Sequence, residues 1–145
     1  MILFTSVIEV NSKKASKTAF VYLLISLFCV LFGAVYEIYS YEVYSYFMLY
    51  AFVFPLTGGT LPFSIFSMMK VKCYPNALSR NLYHSGIATL TVGSIIRGVL
   101  DIYGTTNVLS EWYWKVGATF VIAGVLGYLF MLVWNRTPFE RWHRL

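Results

Sequence analysis

Hydrophobic and polar positions divide this chain into four long apolar stretches, separated by short polar segments. The apolar stretches cover residues 18–36, 43–69, 82–103 and 115–134. About 20 apolar residues are enough for one helix to cross the hydrocarbon core of a membrane. None of the stretches alternates with the two-residue period of a membrane β-strand. The pattern therefore predicts an all-α polytopic membrane protein, a four-transmembrane-helix bundle of two antiparallel hairpins.

Composition indicates that lipid, rather than water, is the solvent of this chain. Hydrophobic residues make up 59% of the chain and charged residues only 12%, whereas a soluble domain has roughly 25% charged residues. A soluble protein this small has too few charges to cover so much apolar surface. We expect a single membrane domain over residues 1–145, with lipid as a partner and without a nucleic acid partner.

Basic segments flank the four predicted spans and indicate their orientation. Residues 1–17 form a head, predicted as a short interfacial helix or a frayed end, and residues 135–145 form a tail suited to anionic headgroups. Of the eleven lysines and arginines, all except Arg97 and Lys115 fall on one side of the four-span layout. By the positive-inside rule, both termini are cytoplasmic, and we expect the protein in the plasma membrane.

The second predicted span carries a cluster of helix-breaking residues near its middle. The segment 55–62 begins and ends with proline and contains the pairs Thr57-Gly58 and Gly59-Thr60. A broken helix at membrane depth is tolerated where protein or a wet cavity satisfies the freed carbonyl groups. Two interpretations remain open: a break that binds an ion or solute, as in transporters, or a simple kink closed by the threonine hydroxyls.

The third predicted span carries a polar stripe within an apolar helix. Ser85, Thr89, Gly93, Arg97 and Asp101 recur at every fourth position and therefore share one side of a helix. Charged residues inside a membrane span are candidates for a functional site. The stripe is expected to face protein or water, and it makes Thr89, Arg97 and Asp101 candidate residues of an ion or solute pathway.

Glu37 ends the first span at a height similar to that of Arg97 in the third. The sequence is compatible with a Glu37–Arg97–Asp101 cluster that forms an anion or proton site at an outer vestibule. In the alternative, Arg97 extends to the headgroups and pairs only with Asp101, one turn away. His84, at the inner mouth of the third span, is either a cytoplasmic proton acceptor or an interfacial residue.

Catalytic signatures are missing from the sequence, and we predict no enzymatic activity. The two cysteines and two histidines lie in no metal-binding or redox motif, so we expect neither a metal site nor a cofactor. The favoured function is a channel or transporter for a small ion or solute, acting as a homo-oligomer. The alternative is a non-catalytic partner, an accessory subunit that packs against a larger membrane complex.

Overall fold

The structure, a computed structural model, describes residues 2–40, 43–69 and 75–136 of the chain. In these ranges it is entirely helical, with helix α1 at Ile2–Tyr39, α2 at Tyr46–Leu49, α3 at Leu61–Met68, α4 at Ala77–Ile102 and α5 at Leu109–Arg136. A π-helical segment, Phe54–Thr60, joins α2 to α3. We call the part of the chain from α2 to α3 the second span. Among the described residues, four helical stretches are long and apolar enough to cross a membrane.

Helix α1 is longer than the apolar stretch 18–36 from which it was predicted. It has 38 residues and continues without interruption through the basic head. Lys13 and Glu9, one turn apart, form a salt bridge of 2.8 Å, a pairing that favours helix in this polar segment. At about 1.5 Å per residue, α1 is about 57 Å long, well beyond the roughly 30 Å of a hydrocarbon core. Residues 137–145 of the predicted tail lie outside the described residues.

Helix α4 begins five residues before the predicted third span, because Asn76 caps it. The Asn76 Oδ1 atom accepts a hydrogen bond of 2.7 Å from the Ala77 backbone N–H. At its other end, Gly104 adopts a φ of 68°, a left-handed conformation that glycine adopts without strain. The Asn107 side chain then accepts a bond of 2.9 Å from the Leu109 N–H at the start of α5. These residues form the turn between α4 and α5.

Each extensive interface joins helices that are neighbours along the chain. Helix α1 packs along the second span, the second span packs against α4, and α4 makes the most extensive contact with α5. The α1 backbone does not approach α4 or α5 within the described residues. Because α1 and α4 both lie against the second span but not against each other, a groove remains between them.

Glycines set the close approach of α4 and α5. A Cβ atom at Gly86 would lie 2.6 Å from the Val121 backbone nitrogen, and one at Gly93 would lie 2.6 Å from Tyr113 Cβ. The contact of Gly86 with Val121 and of Gly93 with Tyr113 shows that the two helices are antiparallel. The Ser79 hydroxyl adds a hydrogen bond of 2.5 Å to the Gly124 carbonyl. Such small-residue packing is typical of helices in membranes, where hydrophobic burial does not drive association.

Candidate functional site

The π-helical segment occupies the position that the prolines and glycines predicted. Pro55 and Pro62 have no backbone N–H, so the carbonyl groups one turn before each proline lose their usual donor. Single π-helical turns often occur at functional sites, and here the turn directs Gly58 and Gly59 against the neighbouring helices. The interruption of the second span is therefore a feature of the fold as well as of the sequence.

Side-chain hydroxyl groups donate hydrogen bonds to backbone carbonyl groups along this interrupted span. The Thr57 hydroxyl donates to the Val53 carbonyl at 2.7 Å, and the Thr60 hydroxyl donates to the Pro55 carbonyl at 3.5 Å. These are the threonine contacts that the kink interpretation requires. Tyr83 on α4 contributes a third bond.

The Tyr83 hydroxyl donates to the Gly58 carbonyl at 2.6 Å. That carbonyl lies four residues before Pro62, so the tyrosine replaces the amide donor that the proline lacks. Towards the other end of the span, Ser26 and Ser94 donate to the Phe52 and Phe47 carbonyls at 3.3 and 2.6 Å. Each of these five carbonyl oxygens therefore accepts a hydrogen bond from a hydroxyl group within the protein.

Gly58 and Gly59 serve the close packing of helices rather than the exposure of backbone groups to a ligand. A Cβ atom at Gly59 would collide with the ring of Tyr22, and one at Gly58 would collide with the Ile87 side chain. Tyr22 and Ile87 belong to the buried core, together with Ala19. The two glycines thus allow α1 and α4 to approach the second span closely.

His84 lies in an aromatic cluster with Tyr22 and Phe63. Its Nδ1 atom is 2.5 Å from the Tyr22 hydroxyl oxygen, and its ring stacks on Phe63 with centroids 5.3 Å apart. Tyr22 in turn stacks on Phe63 at 6.1 Å. The hydrogen bond connects α1 to α4 across the second span. His84 is therefore a half-buried residue with a fixed partner, which the interfacial interpretation did not anticipate.

The Tyr22–His84 pair lies in the wall of the groove between α1 and α4. The groove has a volume of about 520 Å³. Its lining is mainly apolar, with a few polar side chains. The residues are Lys17, Thr18, Val21, Tyr22 and Ile25 from α1, Pro55 from the second span, and His84, Ile87, Ala88, Thr91 and Val92 from α4.

Arg97 and Asp101 lie near one another beside the turn between α4 and α5, but the three-residue cluster with Glu37, one of the two alternatives, is not formed. Both line a cavity of about 220 Å³ together with Glu111, whereas Glu37 does not line it. No ion pair joins Arg97, Asp101 and Glu37 in the part of the chain that the structure describes. Instead, the Arg97 guanidinium lies 4.9 Å from the centroid of the Phe47 ring.

Asp101 and Glu37 have separate surroundings. Asp101 accepts a hydrogen bond of 3.2 Å from the Ser45 hydroxyl. The Glu37 Oε1 atom is buried and has no hydrogen-bond partner among the described residues. Helix spacing placed Arg97 and Asp101 on one side of α4, but it did not determine which ring or hydroxyl the tertiary packing would bring to each of them.

The polar stripe of α4 does not face a single site. Ser85 and Asp101 are exposed, Gly93 is buried, and Thr89 is half-buried. The Thr89 hydroxyl bonds to the Ser85 carbonyl within its own helix at 2.8 Å. The stripe follows the slow drift of a four-residue repeat on a helix with 3.6 residues per turn, so its ends point in different directions.

The groove residues that sequence reasoning missed are Tyr22 and Lys17. Tyr22 lies within an apolar run, where a single tyrosine does not stand out, and Lys17 was counted only as a charge. One signal was available: the buried residues Ala15, Ala19, Ser26 and Cys29 recur at helical spacing and mark the buried side of α1. Tyr22 lies on that side.

A metal or cofactor site was not expected, and the described residues hold no group of three or more metal-ligating side chains. Comparison with protein-family models, with curated proteins and with solved structures found no match to this chain. The class therefore follows from the structure itself: an all-helical chain whose described part has four helices long and apolar enough to cross a membrane.

Because the Arg97 side chain contacts an aromatic ring rather than a carboxylate, we expect its replacement to lower the stability of the protein only slightly. Arg97→Leu should lower the free energy of unfolding by about 1 kcal/mol, the size of a partly exposed cation–π contact. Asp101→Asn should add an independent loss of similar size, so the double variant should be additive. Unfolding of the two single variants and the double variant in detergent measures whether the two losses are additive. A coupling of about 3 kcal/mol or more would instead show that Arg97 and Asp101 form a buried ion pair.

Proposed function

We propose that this protein is a channel or transporter for a small ion or solute that acts as a homo-oligomer. The observation that carries the proposal is the Tyr22–His84 pair in the wall of the groove between α1 and α4. Polar side chains within a membrane span normally face protein or a cavity, and they mark candidate pathways. The groove is open on one side, so a pathway along it needs a second wall.

A second copy of the chain is the simplest second wall. Two copies that face each other across their grooves would join the two cavities into one chamber between them. Val21 and Val92 are half exposed on the two rims of the groove, at 53% and 47% of their surface, so both are available for such a contact. Closed two-fold pairing of identical surfaces is the commonest form of protein oligomer.

We infer from the basic residues that both termini are cytoplasmic in the plasma membrane. Lys13, Lys14 and Lys17 are near the start of α1, and Arg80 is near the start of α4, so these charges belong to one end of the bundle. The positive-inside rule assigns that end to the cytoplasm. Cysteines placed at the exposed positions Ser16 and Thr106, labelled from each side of the membrane, measure the orientation.

An accessory role in a larger membrane complex is the second candidate. The observation that favours it is the hydrogen bonding of the interrupted span, whose carbonyl groups are occupied by Thr57, Thr60 and Tyr83. A segment whose polar groups are satisfied in this way is suited to a rigid support. In this case the open groove would receive a helix of another protein instead of a second copy.

Cross-linking and flux distinguish the two candidates. With Cys29 and Cys73 replaced by alanine, Val21→Cys should cross-link two copies, whereas the control Leu27→Cys, exposed on another side of α1, should not. Vesicles containing the protein should release potassium, chloride or octanoate faster than protein-free vesicles, and Ala88→Trp, which fills the groove, should remove that release. A monomer that co-purifies with a different protein and releases none of the three would support the accessory role.

A further inference from the structure

The dimensions of the groove fit part of one extended alkyl chain. On α1 its lining runs from Lys17 to Ile25, and on α4 it runs from His84 to Val92. Each interval is eight residues, or about 12 Å at the rise of an α-helix. The volume of about 520 Å³ lies within the roughly 300–1,000 Å³ of small-molecule sites. The groove is therefore a long, narrow site open towards lipid.

The chemistry of the groove changes along its length. Lys17, near the basic end of the bundle, is exposed and can place its ammonium group in the headgroup region. No acidic side chain lines the groove, so its charge is only positive. Beyond Lys17 and Thr18, the wall consists mainly of Val21, Ile25 and the aliphatic side chains of α4. A cation at one end and hydrocarbon along the rest complement an anionic amphiphile.

The polar groups deeper in the groove are already bonded within the protein. The Thr91 hydroxyl donates to the Ile87 carbonyl at 2.8 Å, and Tyr22 is bonded to His84. Beyond Lys17 and Thr18, the groove therefore offers a ligand few polar groups that lack a partner within the protein. An alkyl chain requires no such partners and gains from the apolar wall.

We propose that the groove binds a long-chain fatty acid taken from the bilayer, with its carboxylate at Lys17 and the carboxyl-proximal part of its alkyl chain between α1 and α4. The inference rests on the proposed function, because it names the substrate class of the same groove. In a copy that is not paired with a second one, the open side of the groove allows a chain to enter laterally from lipid. One chain fits the narrow groove, so we expect one fatty acid for each copy of the protein.

Equilibrium binding of radiolabelled palmitate to the purified protein in neutral detergent tests the proposal. We expect one saturable site per chain. Lys17→Gln should weaken binding about five- to tenfold, as expected for loss of a charge-assisted contact near the surface. Lys14→Gln, which removes an exposed lysine that does not line the groove, is the matched control and should leave binding unchanged.

A second pair of variants tests the alkyl end. Ala88→Trp should abolish saturable binding by filling the groove, whereas Ala118→Trp, at an exposed position of α5, should not. Unlabelled palmitate should displace the label, and hexadecanol, which lacks the charge, should displace it about five- to tenfold less well.

Three results would overturn the assignment of a fatty acid. They are equal competition by hexadecanol, equal binding by the two lysine variants, and displacement of palmitate by an anionic phospholipid at the same concentration. The transport proposal is measured separately. Saturable palmitate binding in a protein that moves no solute would support the ligand class while removing the transport role. Potassium or chloride release that does not respond to palmitate, in a protein without saturable palmitate binding, would support the transport role while removing the fatty acid as the ligand.

Discussion

Replacing Gly59 with alanine should lower the free energy of unfolding by about 3 kcal/mol, at the upper end of the range for overpacking a core. The new methyl group would collide with the ring of Tyr22. That ring has little room to move, because it stacks on Phe63 and its hydroxyl is bonded to His84. Alanine is a better helix former than glycine by roughly 1 kcal/mol, which offsets only part of the collision.

Gly33→Ala is the matched control for this variant. A Cβ atom at Gly33 would lie 3.5 Å from the Met48 carbonyl oxygen, an ordinary contact. This control should therefore be neutral or more stable by up to about 1 kcal/mol. Unfolding of both variants in detergent, followed by helical circular dichroism, makes the comparison.

A double-variant cycle identifies the ring as the cause. Tyr22→Ala removes the ring and leaves a cavity, so it should be destabilising by itself, by about 3–5 kcal/mol. Adding Gly59→Ala to it should then cost little, because the methyl group occupies part of the cavity. Equal stability of the Gly59 and Gly33 variants would show that α1 and the second span can move apart without loss of stability.

The second large loss of stability is expected from a substitution at the contact between α4 and α5. Gly86→Ala should lower the free energy of unfolding by about 3 kcal/mol. The added Cβ atom would lie 2.6 Å from the Val121 nitrogen and 3.0 Å from the Gly117 oxygen. Both are backbone atoms of α5, so no side-chain rotation relieves the contact, and the helices must move apart.

Gly127→Ala is the control for the α4–α5 contact. Its Cβ atom would lie 3.5 Å from the Ser79 side chain, which is ordinary van der Waals contact. Melting temperatures of the two variants in the same detergent should differ clearly, with only the Gly86 variant lowered. If both variants melted like the unmodified protein, the close approach of α4 and α5 would not be a source of stability.

The sequence predicted the helical class and the interruption of the second span because both depend on local properties. Four apolar stretches determine four helices long enough for a membrane, and Pro55 and Pro62 lack the N–H groups that a regular helix needs. The helix ends predicted from the apolar stretches were less accurate. Apolar character stops at the membrane surface, whereas helical hydrogen bonding continues into polar residues such as those around Lys13 and Asn76.

The candidate site was harder to predict because its residues come from different helices. His84 was a candidate, but its partner Tyr22 is 62 positions earlier in the chain. Arg97 and Asp101 were placed on one side of a helix, and their partners came from α2 (Phe47) and from the residue just before it (Ser45). Periodicity within one helix identifies the side that is buried, but it does not identify the residue that is packed against it.

The order of the helix contacts has a consequence for biosynthesis. In a chain inserted from its N-terminus, each new helix would find its main partner already in the membrane, since α1, the second span, α4 and α5 pack in chain order. Contacts between sequence neighbours form faster than distant ones. Two fragments divided between α3 and α4 would each retain a complete helix pair, one held at Gly59 and the other at Gly86.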